Sequence, residues 1–130
     1  MKKLLGIVVL GLLLFSNTYA NNLIEKQLEC ETSSTSVEGF SYYKFINDKE
    51  VMYLYINKKT LKVIEKIWIY KVFPTEIEIH WGDLKMDTIS RKTLKTEYGE
   101  KCKIVEFDVK NYLEKKSKKL YEKISQDNKI

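Results

Sequence analysis

The feature that most constrains the fold is a long segment, from about residue 40 to residue 107, in which Tyr, Ile, Val, Phe and Trp recur between short polar breaks. β-Branched and aromatic residues favour strands, and the short polar breaks favour turns. The pattern predicts strands near 23–31, 40–47, 50–57, 61–72, 75–81, 86–91, 93–98 and 101–107. Because short connections join consecutive antiparallel strands, we expect an antiparallel meander that forms a curved sheet or a small barrel.

A helical period replaces the strand pattern near the C-terminus. Apolar or small residues recur there at helical spacing, at Val109, Leu113, Ser117, Leu120 and Ile124. This spacing predicts an amphipathic helix over about 109–126, with Asp108 as a candidate N-cap. The expected fold class is therefore mainly β with one C-terminal α-helix that closes the sheet. We expect the two leucines of the helix to be buried against the sheet and its lysines to face water, although a lysine-rich helix also fits an anionic membrane surface.

The first twenty residues have the three parts of a secretory signal peptide. A basic start, Met1-Lys2-Lys3, precedes an almost unbroken apolar run over 4–15, and the small residues Thr18 and Ala20 follow. A spanning helix needs about 20 apolar residues, so this shorter run favours a cleaved leader over a permanent anchor. We therefore expect a signal peptide, 1–20, and one domain, 21–130, exported to the periplasm or beyond in a bacterial cell, with no transmembrane segment after leader removal.

The cysteine count supports the same compartment. Cys30 and Cys102 are the only two cysteines, and an even count in a small exported domain indicates a disulfide. The bridge would close a loop of roughly 70 residues and would be worth about 4 kcal/mol in the chain-entropy model. It would join the start of the domain to its last strand.

The charge balance argues against a nucleic-acid partner. Without Lys2 and Lys3 the chain has 21 basic and 18 acidic residues, a net charge of +3, and Arg91 is the only arginine. Proteins that read nucleic acids rely on arginine for bidentate contacts with bases and phosphates. We therefore expect no nucleic-acid partner, and no feature of the sequence indicates an oligomeric state.

The chain carries little sign of catalytic chemistry. His80 is the only histidine, and Asp87 would lie directly across from it if residues 82–85 formed a four-residue hairpin loop. A His–Asp pair can support a general base, but no nucleophile motif accompanies this one. Glu78 and His80 supply two metal ligands where zinc sites need three or four. We therefore expect no catalytic residue, no metal and no cofactor, and we interpret the His–Asp pair as a surface pair.

The first hairpins predict two different sheet faces. A two-residue turn at Asp48-Lys49 would place Asn47 opposite Glu50, and side chains directly opposite each other share a face. One face is then the predicted core: Tyr43, Phe45, Met52, Leu54, Ile56, Leu61, Val63, Ile67 and Ile69, with Glu65 as the exception. The other face interleaves aromatic rings and lysines, and we call its candidate binding residues the aromatic–lysine set: Tyr42, Lys44, Tyr53, Tyr55, Lys62, Lys66, Trp68 and Tyr70.

The aromatic–lysine set leads to a hypothesis of binding. Exposed rings can stack on sugars or on a protein partner, and lysines attract carboxylates or phosphates. The sequence therefore favours a small non-catalytic module that binds a protein or glycan partner on this face. Three alternatives remain open: a lipocalin-like carrier with a small apolar ligand inside the barrel, an accessory subunit of an envelope assembly, and rings that are simply covered by the C-terminal helix.

The leader generates the first prediction. If the signal peptide is cleaved after Ala20, the exported protein begins at Asn21. N-terminal sequencing of protein recovered outside the cytoplasm tests this expectation. Exported material that begins at Met1 would contradict it.

Overall fold

The computed structural model describes residues 23–32 and 35–127, so the predicted leader lies outside the described residues. The described part is mainly β with one long helix, as expected from the sequence. Its strands are β1 (Gln27–Glu31), β2 (Phe40–Phe45), β3 (Glu50–Ile56), β4 (Val63–Val72), β5 (Glu76–Trp81), β6 (Leu84–Ser90) and β7 (Cys102–Val105). The helix α1 spans Val109–Asp127, and a single turn of 3-10 helix, Val37–Gly39, precedes β2.

The seven strands form one antiparallel sheet in the order β6-β5-β4-β3-β2-β1-β7. The meander from β1 to β6 follows the chain, and β7 returns to pair with β1 at the opposite edge from β6. A strand predicted near 93–98 is absent. That part of the chain forms turns and takes part in two single bridges, Ile89 with Thr96 and Lys95 with Lys101.

The sheet curls strongly. Three strands separate β2 from β6, and a spacing of about 4.8 Å between neighbours would put them about 19 Å apart in a flat sheet. Nevertheless the Tyr43 hydroxyl on β2 donates a hydrogen bond to the Asp87 carboxylate on β6, at 3.4 Å. The sheet is therefore a curled half-barrel, and the face that carries Tyr43 and Asp87 is its inner face.

A short hairpin, residues 95–101, links the two edges of the half-barrel. The N–H of Ser90, at the end of β6, donates to the carbonyl of Lys95 at 2.9 Å, and the N–H of Cys102 donates to the carbonyl of Leu94 at 2.8 Å. The N–H of Glu31 in β1 donates to the carbonyl of Lys101 at 2.9 Å. Because edge strands expose unpaired N–H and C=O groups, the bonds of Ser90 and Cys102 cover part of both edges.

The predicted disulfide is present between β1 and β7. Cys30 and Cys102 lie directly opposite each other, with their Cα atoms 4.0 Å apart. The next pair along the ladder, Glu31 and Lys101, is hydrogen-bonded, so the cysteines occupy the closer, non-hydrogen-bonded kind of pair. The bridge joins positions 72 residues apart and ties the first strand to the last one.

The predicted register of β2 and β3 was wrong by one residue. Phe45 pairs with Val51 and Tyr43 with Tyr53, so the connection is a three-residue loop, 47–49. The cause is the Asn47 side chain, whose Oδ1 accepts hydrogen bonds from the N–H groups of Lys49, at 2.9 Å, and Glu50, at 2.8 Å. A shift of one residue moves every side chain of a strand to the other face. Tyr43 and Phe45 therefore share a face with Tyr53, not with Leu54.

The observed register of β3 and β4 differs from the predicted one by two residues. A shift of two residues leaves each side chain on its predicted face. Ile56 pairs with Val63, so the connection is a six-residue loop, 57–62, instead of a two-residue turn at Lys58-Lys59. Asn57 Oδ1 accepts hydrogen bonds from the N–H groups of Lys59 and Thr60 and stabilises this wider loop. The predicted assignment of the β3 and β4 residues to two opposite faces of the sheet is therefore confirmed.

The main core lies inside the curl. Its buried members come from six of the seven strands: Leu28, Cys30, Tyr43, Phe45, Val51, Trp68, Tyr70, Ile77, Ile79 and Ile89. The predicted core face was therefore wrong in part. Tyr43 and Phe45 are interior, Leu54 and Ile56 are buried on the outer face, and Ile67 and Ile69 are exposed.

The helix α1 packs on the outer face of the sheet. Val109 and Leu113 are buried there, in a second apolar cluster with Tyr42, Leu54, Ile56 and Val105. The expected exposure of Lys115, Lys118 and Lys119 is confirmed. No helix among the described residues combines the length and apolar character needed to span a membrane.

The start of α1 is fixed by a side chain of β1. Gln27 is buried, and its Oε1 accepts a hydrogen bond from the N–H of Val109 at 2.9 Å while its Nε2 donates to the carbonyl of Phe107 at 2.8 Å. The carboxylate of Asp108, the N-cap candidate, lies 3.8 Å from the ammonium of Lys44. Gln27 thus satisfies both an orphan N–H of the first helical turn and a carbonyl of the incoming chain.

The sheet covers only the first half of α1. A helix of 19 residues is about 28 Å long, but its buried residues, Val109 and Leu113, belong to its first two turns. Leu120 is only half-buried and Ile124 is exposed, so the expectation that Leu120 is fully buried was wrong. Beyond Ser117, whose hydroxyl donates to the carbonyl of Leu61, the helix has little sheet beneath it.

The unequal burial of the two leucines generates the second prediction. We expect Leu113→Ala to lower the free energy of unfolding by about 2–5 kcal/mol, because it opens a cavity in a packed cluster. Leu120→Ala, the matched control on the same helix, should cost clearly less. Urea denaturation of both variants measures the difference, and equal losses would contradict this account of how α1 packs.

Candidate binding surfaces

The structure divides the aromatic–lysine set between three places. Tyr42 and Lys44 lie on the outer face, because of the corrected register of β2. Lys62 lies in the loop 57–62. The remaining members share the inner face: Tyr53, Tyr55, Lys66, Trp68 and Tyr70. The eight residues therefore do not form one continuous surface.

Most of the inner-face rings belong to the core. Trp68 stacks on Tyr53 with ring centroids 4.5 Å apart and an angle of 13° between the planes. Tyr70 meets Phe45 edge to face at 4.8 Å, and its hydroxyl donates to the carbonyl of Asn47. Offset stacking and edge-to-face contacts of this kind add to the stabilisation from burial. Trp68 and Tyr70 thus fill the interior, on the face opposite to α1.

Tyr42 is the member that the helix covers. Its ring makes edge contacts with Phe107, at 6.4 Å, and with Tyr112 of α1, at 6.3 Å. Its hydroxyl donates to the Glu29 carboxylate at 2.9 Å. Burial, and then the hydrogen bond to Glu29, raise the pKa of Tyr42 well above its ordinary value. Covering by the helix, one of the alternatives for these rings, is therefore found for Tyr42.

The interior also contains a carboxyl group. Asp87 accepts hydrogen bonds from the N–H of Thr88, at 2.8 Å, and from the Tyr43 hydroxyl. Burial raises the pKa of Asp87, against the opposing effect of the donated bonds, and burial likewise raises the pKa of Tyr43. Since the folded protein binds the Asp87 proton more tightly than the unfolded chain does, the stability that this protonated carboxyl contributes at low pH is lost as the pH rises from its ordinary pKa through its raised pKa.

The predicted His80–Asp87 pair was wrong. The turn between β5 and β6 has two residues, Gly82 and Asp83, so His80 lies opposite Lys85 and Asp87 lies opposite Ile79. A register irregularity between Ile79 and His80 accompanies this shift. His80 is on the outer face, where its Nε2 is 3.0 Å from the Glu78 carboxylate. Within 23–32 and 35–127 no group of three or more His, Cys, Asp or Glu side chains is placed to hold a metal ion.

An exposed apolar surface lies where the sequence predicted core. Met52, Ile67 and Ile69 are on the outer face of β3 and β4, and Ile46 follows β2 on the same face. Ile67 and Ile69 are 47% and 49% exposed, although both lie in the middle of the sheet. We call this surface, Ile46, Met52, Ile67 and Ile69, the aliphatic strip. Ile46, Ile67 and Ile69 are exposed because α1 packs over the neighbouring rows that contain Leu54 and Ile56, whereas the half-buried Met52 packs against the cluster beneath α1.

Charges of both signs surround the aliphatic strip. The outer-face pairs place Lys44 beside Met52 and Glu50 beside Ile69, and Lys71 follows two residues after Ile69. Glu78 and His80 lie on the adjacent strand β5. Sequence reasoning missed this surface, although one signal could have found it: the apolar stripe of α1 is too narrow to cover the whole outer face of a sheet this wide.

Several grooves among the described residues are open at the surface. Four grooves have volumes of 350–480 Å³, and none is lined by the stacked rings of the interior. Two of them adjoin α1 and share Leu61 and Tyr121. A third is polar and lies along β6, with Thr88, Ser90 and Glu76 among its lining residues.

Comparison with known proteins places this chain in no family. No family model matches it, and neither a curated protein nor a solved structure does. Its surfaces therefore have to be interpreted from their own chemistry.

The two tryptophans generate the third prediction. Trp68 is 8% exposed within the interior stack, whereas Trp81 is 64% exposed at the end of β5. We expect Trp68→Ala to cost about 3–5 kcal/mol of unfolding free energy, as is typical of a buried ring. Trp81→Ala, the matched control, should cost much less. Thermal melts followed by circular dichroism compare the stabilities of the two variants. A small loss of stability for Trp68→Ala would contradict its role in the core and would make it a candidate binding residue again.

Proposed function

We propose that this chain is an exported, non-catalytic binding module that holds a protein partner on the aliphatic strip. The observation that carries the proposal is the exposure of Ile67 and Ile69 in the middle of the sheet, beside the region that α1 covers. Soluble proteins rarely leave contiguous aliphatic side chains uncovered on a sheet, and such patches mark interaction sites. The strip would be the apolar centre of an interface.

The chemistry of the strip favours a protein over a glycan. Its centre is aliphatic, whereas sugar recognition relies on exposed rings, and the rings of Trp68 and Tyr70 are buried. Its border carries Lys44, Glu50 and Lys71, charges of both signs. An apolar centre with a mixed polar border is the usual anatomy of a protein interface. We therefore retain the hypothesis of a protein partner, and we assign its binding to the aliphatic strip instead of the aromatic–lysine set.

The carrier alternative has less support. A lipocalin-like protein needs an internal cavity of about 300 Å³ or more for its ligand. Here the interior is occupied by contacts between rings, such as Tyr43 with Tyr53 at 5.1 Å and Phe45 with Tyr70 at 4.8 Å. A role as an accessory subunit of an envelope assembly is a special case of the proposal, in which the partner belongs to that assembly.

Two features support export. The N-terminal pattern of residues 1–20 is that of a secretory leader. The Cys30–Cys102 disulfide is of a kind that persists in oxidising compartments and is rare in the reducing cytosol. Both features are consistent with a periplasmic or secreted protein.

The aliphatic strip generates the fourth prediction. A photo-crosslinking residue at position 69, in protein expressed in the producing cells, should give a covalent adduct with one partner of defined mass. The double variant Ile67→Thr/Ile69→Thr should weaken binding of that partner at least tenfold, because threonine keeps the strand propensity but removes apolar contact area. Affinity measured with the purified partner, together with the melting temperature, checks that binding and not folding has changed.

Ile104 provides the matched control. It is also an exposed isoleucine on a strand, but it lies on β7, away from the strip. A crosslinker at position 104 should give no such adduct, and Ile104→Thr should leave the affinity unchanged. Adducts of equal yield at both positions would contradict the proposal. An adduct with twice the mass of this chain would show that the partner is a second copy of the chain.

A further inference from the structure

The charges of the described residues are strongly separated. The loop 57–62 and helix α1, which we call the basic surface, contain nine lysines and three acidic residues, a net charge of +6. The described chain has 20 basic and 18 acidic residues in total, so the remainder has 11 basic and 15 acidic residues, a net charge of −4. The modest overall charge therefore conceals a positive loop and helix and a negative remainder.

Two lysines of the basic surface hold the helix to the rest of the protein. The Lys110 ammonium pairs with the Glu65 carboxylate at 3.3 Å, and Lys116 pairs with Glu38. The other seven lysines are exposed: Lys58, Lys59, Lys62, Lys115, Lys118, Lys119 and Lys123. Their charge is directed to solvent, where it is available to an anionic partner.

Apolar side chains lie among these lysines. Tyr121 is 60% exposed and Ile124 is 46% exposed, on the half of α1 that extends beyond the sheet. The two grooves of 480 and 410 Å³ between α1 and the loop 57–62 both reach Tyr121 and Leu61. Four lysines, Lys58, Lys59, Lys62 and Lys118, and two carboxylates, Glu114 and Glu122, also line these grooves, so the positive charges outnumber the negative ones.

We propose that the basic surface docks this protein on an anionic lipid membrane. Charge complementarity selects an anionic occupant, because Lys58, Lys59, Lys62 and Lys118 border the two grooves that reach Tyr121 and the loop and helix together have a net charge of +6. Tyrosine and lysine, with polar tips on apolar bodies, suit the boundary between headgroups and acyl chains. The exposed apolar residues favour a membrane over a soluble polyanion, which would need the lysines alone. The basic surface and the aliphatic strip share no residue.

Vesicle sedimentation tests the proposal. The protein should co-sediment with vesicles of phosphatidylcholine mixed with phosphatidylglycerol and not with vesicles of phosphatidylcholine alone, and added salt should release it. Lys118→Gln/Lys119→Gln should lower the partition coefficient about thirtyfold, since each lysine near an anionic surface contributes about 1 kcal/mol and 1.4 kcal/mol corresponds to a factor of ten. All variants carry the same N-terminus, so any contribution of residues 1–20 cancels in the ratio.

Matched variants separate the two parts of the proposed surface. Lys85→Gln/Lys92→Gln removes two exposed lysines outside the basic surface and should leave partitioning unchanged, apart from the small effect of net charge. Tyr121→Ser/Ile124→Ser should lower partitioning at least tenfold while the melting temperature is retained, because both side chains are exposed.

Three results would overturn the proposal. The first is equal binding to the two kinds of vesicle. The second is an equal decrease of the partition coefficient in the two lysine double variants. The third is a partition coefficient that Tyr121→Ser/Ile124→Ser leaves unchanged. Soluble polyglutamate provides the comparison with an acidic protein. If it binds as tightly as the vesicles and equally well to the Tyr121/Ile124 variant, the occupant is an acidic protein surface and not a membrane.

Discussion

A wide antiparallel sheet has two faces to bury, and the described part of this chain has one α-helix with which to cover them. The curl of the sheet buries the inner face, because it turns the strands toward one another until Tyr43 on β2 meets Asp87 on β6. The helix is left for the outer face, where two of its residues, Val109 and Leu113, are fully buried. The curl and the helix leave the isoleucines of the aliphatic strip exposed in the middle of the sheet, so the surface that we assign to a partner follows from how the fold distributes burial.

The curl is held where the first strand meets the last part of the chain. β1 pairs with β7 through the Cys30–Cys102 disulfide, and Gln27 of β1 bonds both the first N–H of α1 and the carbonyl of Phe107. An unsatisfied buried amide costs about 1–3 kcal/mol, so Gln27 links the position of the helix to the position of the strand. The hairpin 95–101 then connects this edge to β6 at the other side of the half-barrel.

The two candidate surfaces have different chemistry and are built from different elements. The aliphatic strip is a rigid sheet surface with charges of both signs at its border, which suits a specific protein interface. The basic surface combines one helix and one loop, with lysines whose long side chains can adapt to a diffuse negative potential. A protein that used both would hold its partner close to a membrane.

The sequence by itself determined the fold class, the disulfide, the helix at 109–126 to within a residue, and the division of β3 and β4 into two sets of side chains. Each of these depends on local spacing or on residue type: period two in strands, a helical period in α1, and two cysteines that have only each other as partners. Only the tertiary structure decided which set faces inward. The register of β2 depended on the hydrogen bonds of the Asn47 side chain, and the burial of Trp68 instead of Ile67 depended on the direction of the curl. Burial is a property of the whole sheet and of what packs on it, so alternation along one strand can separate two faces but cannot say which of them meets water.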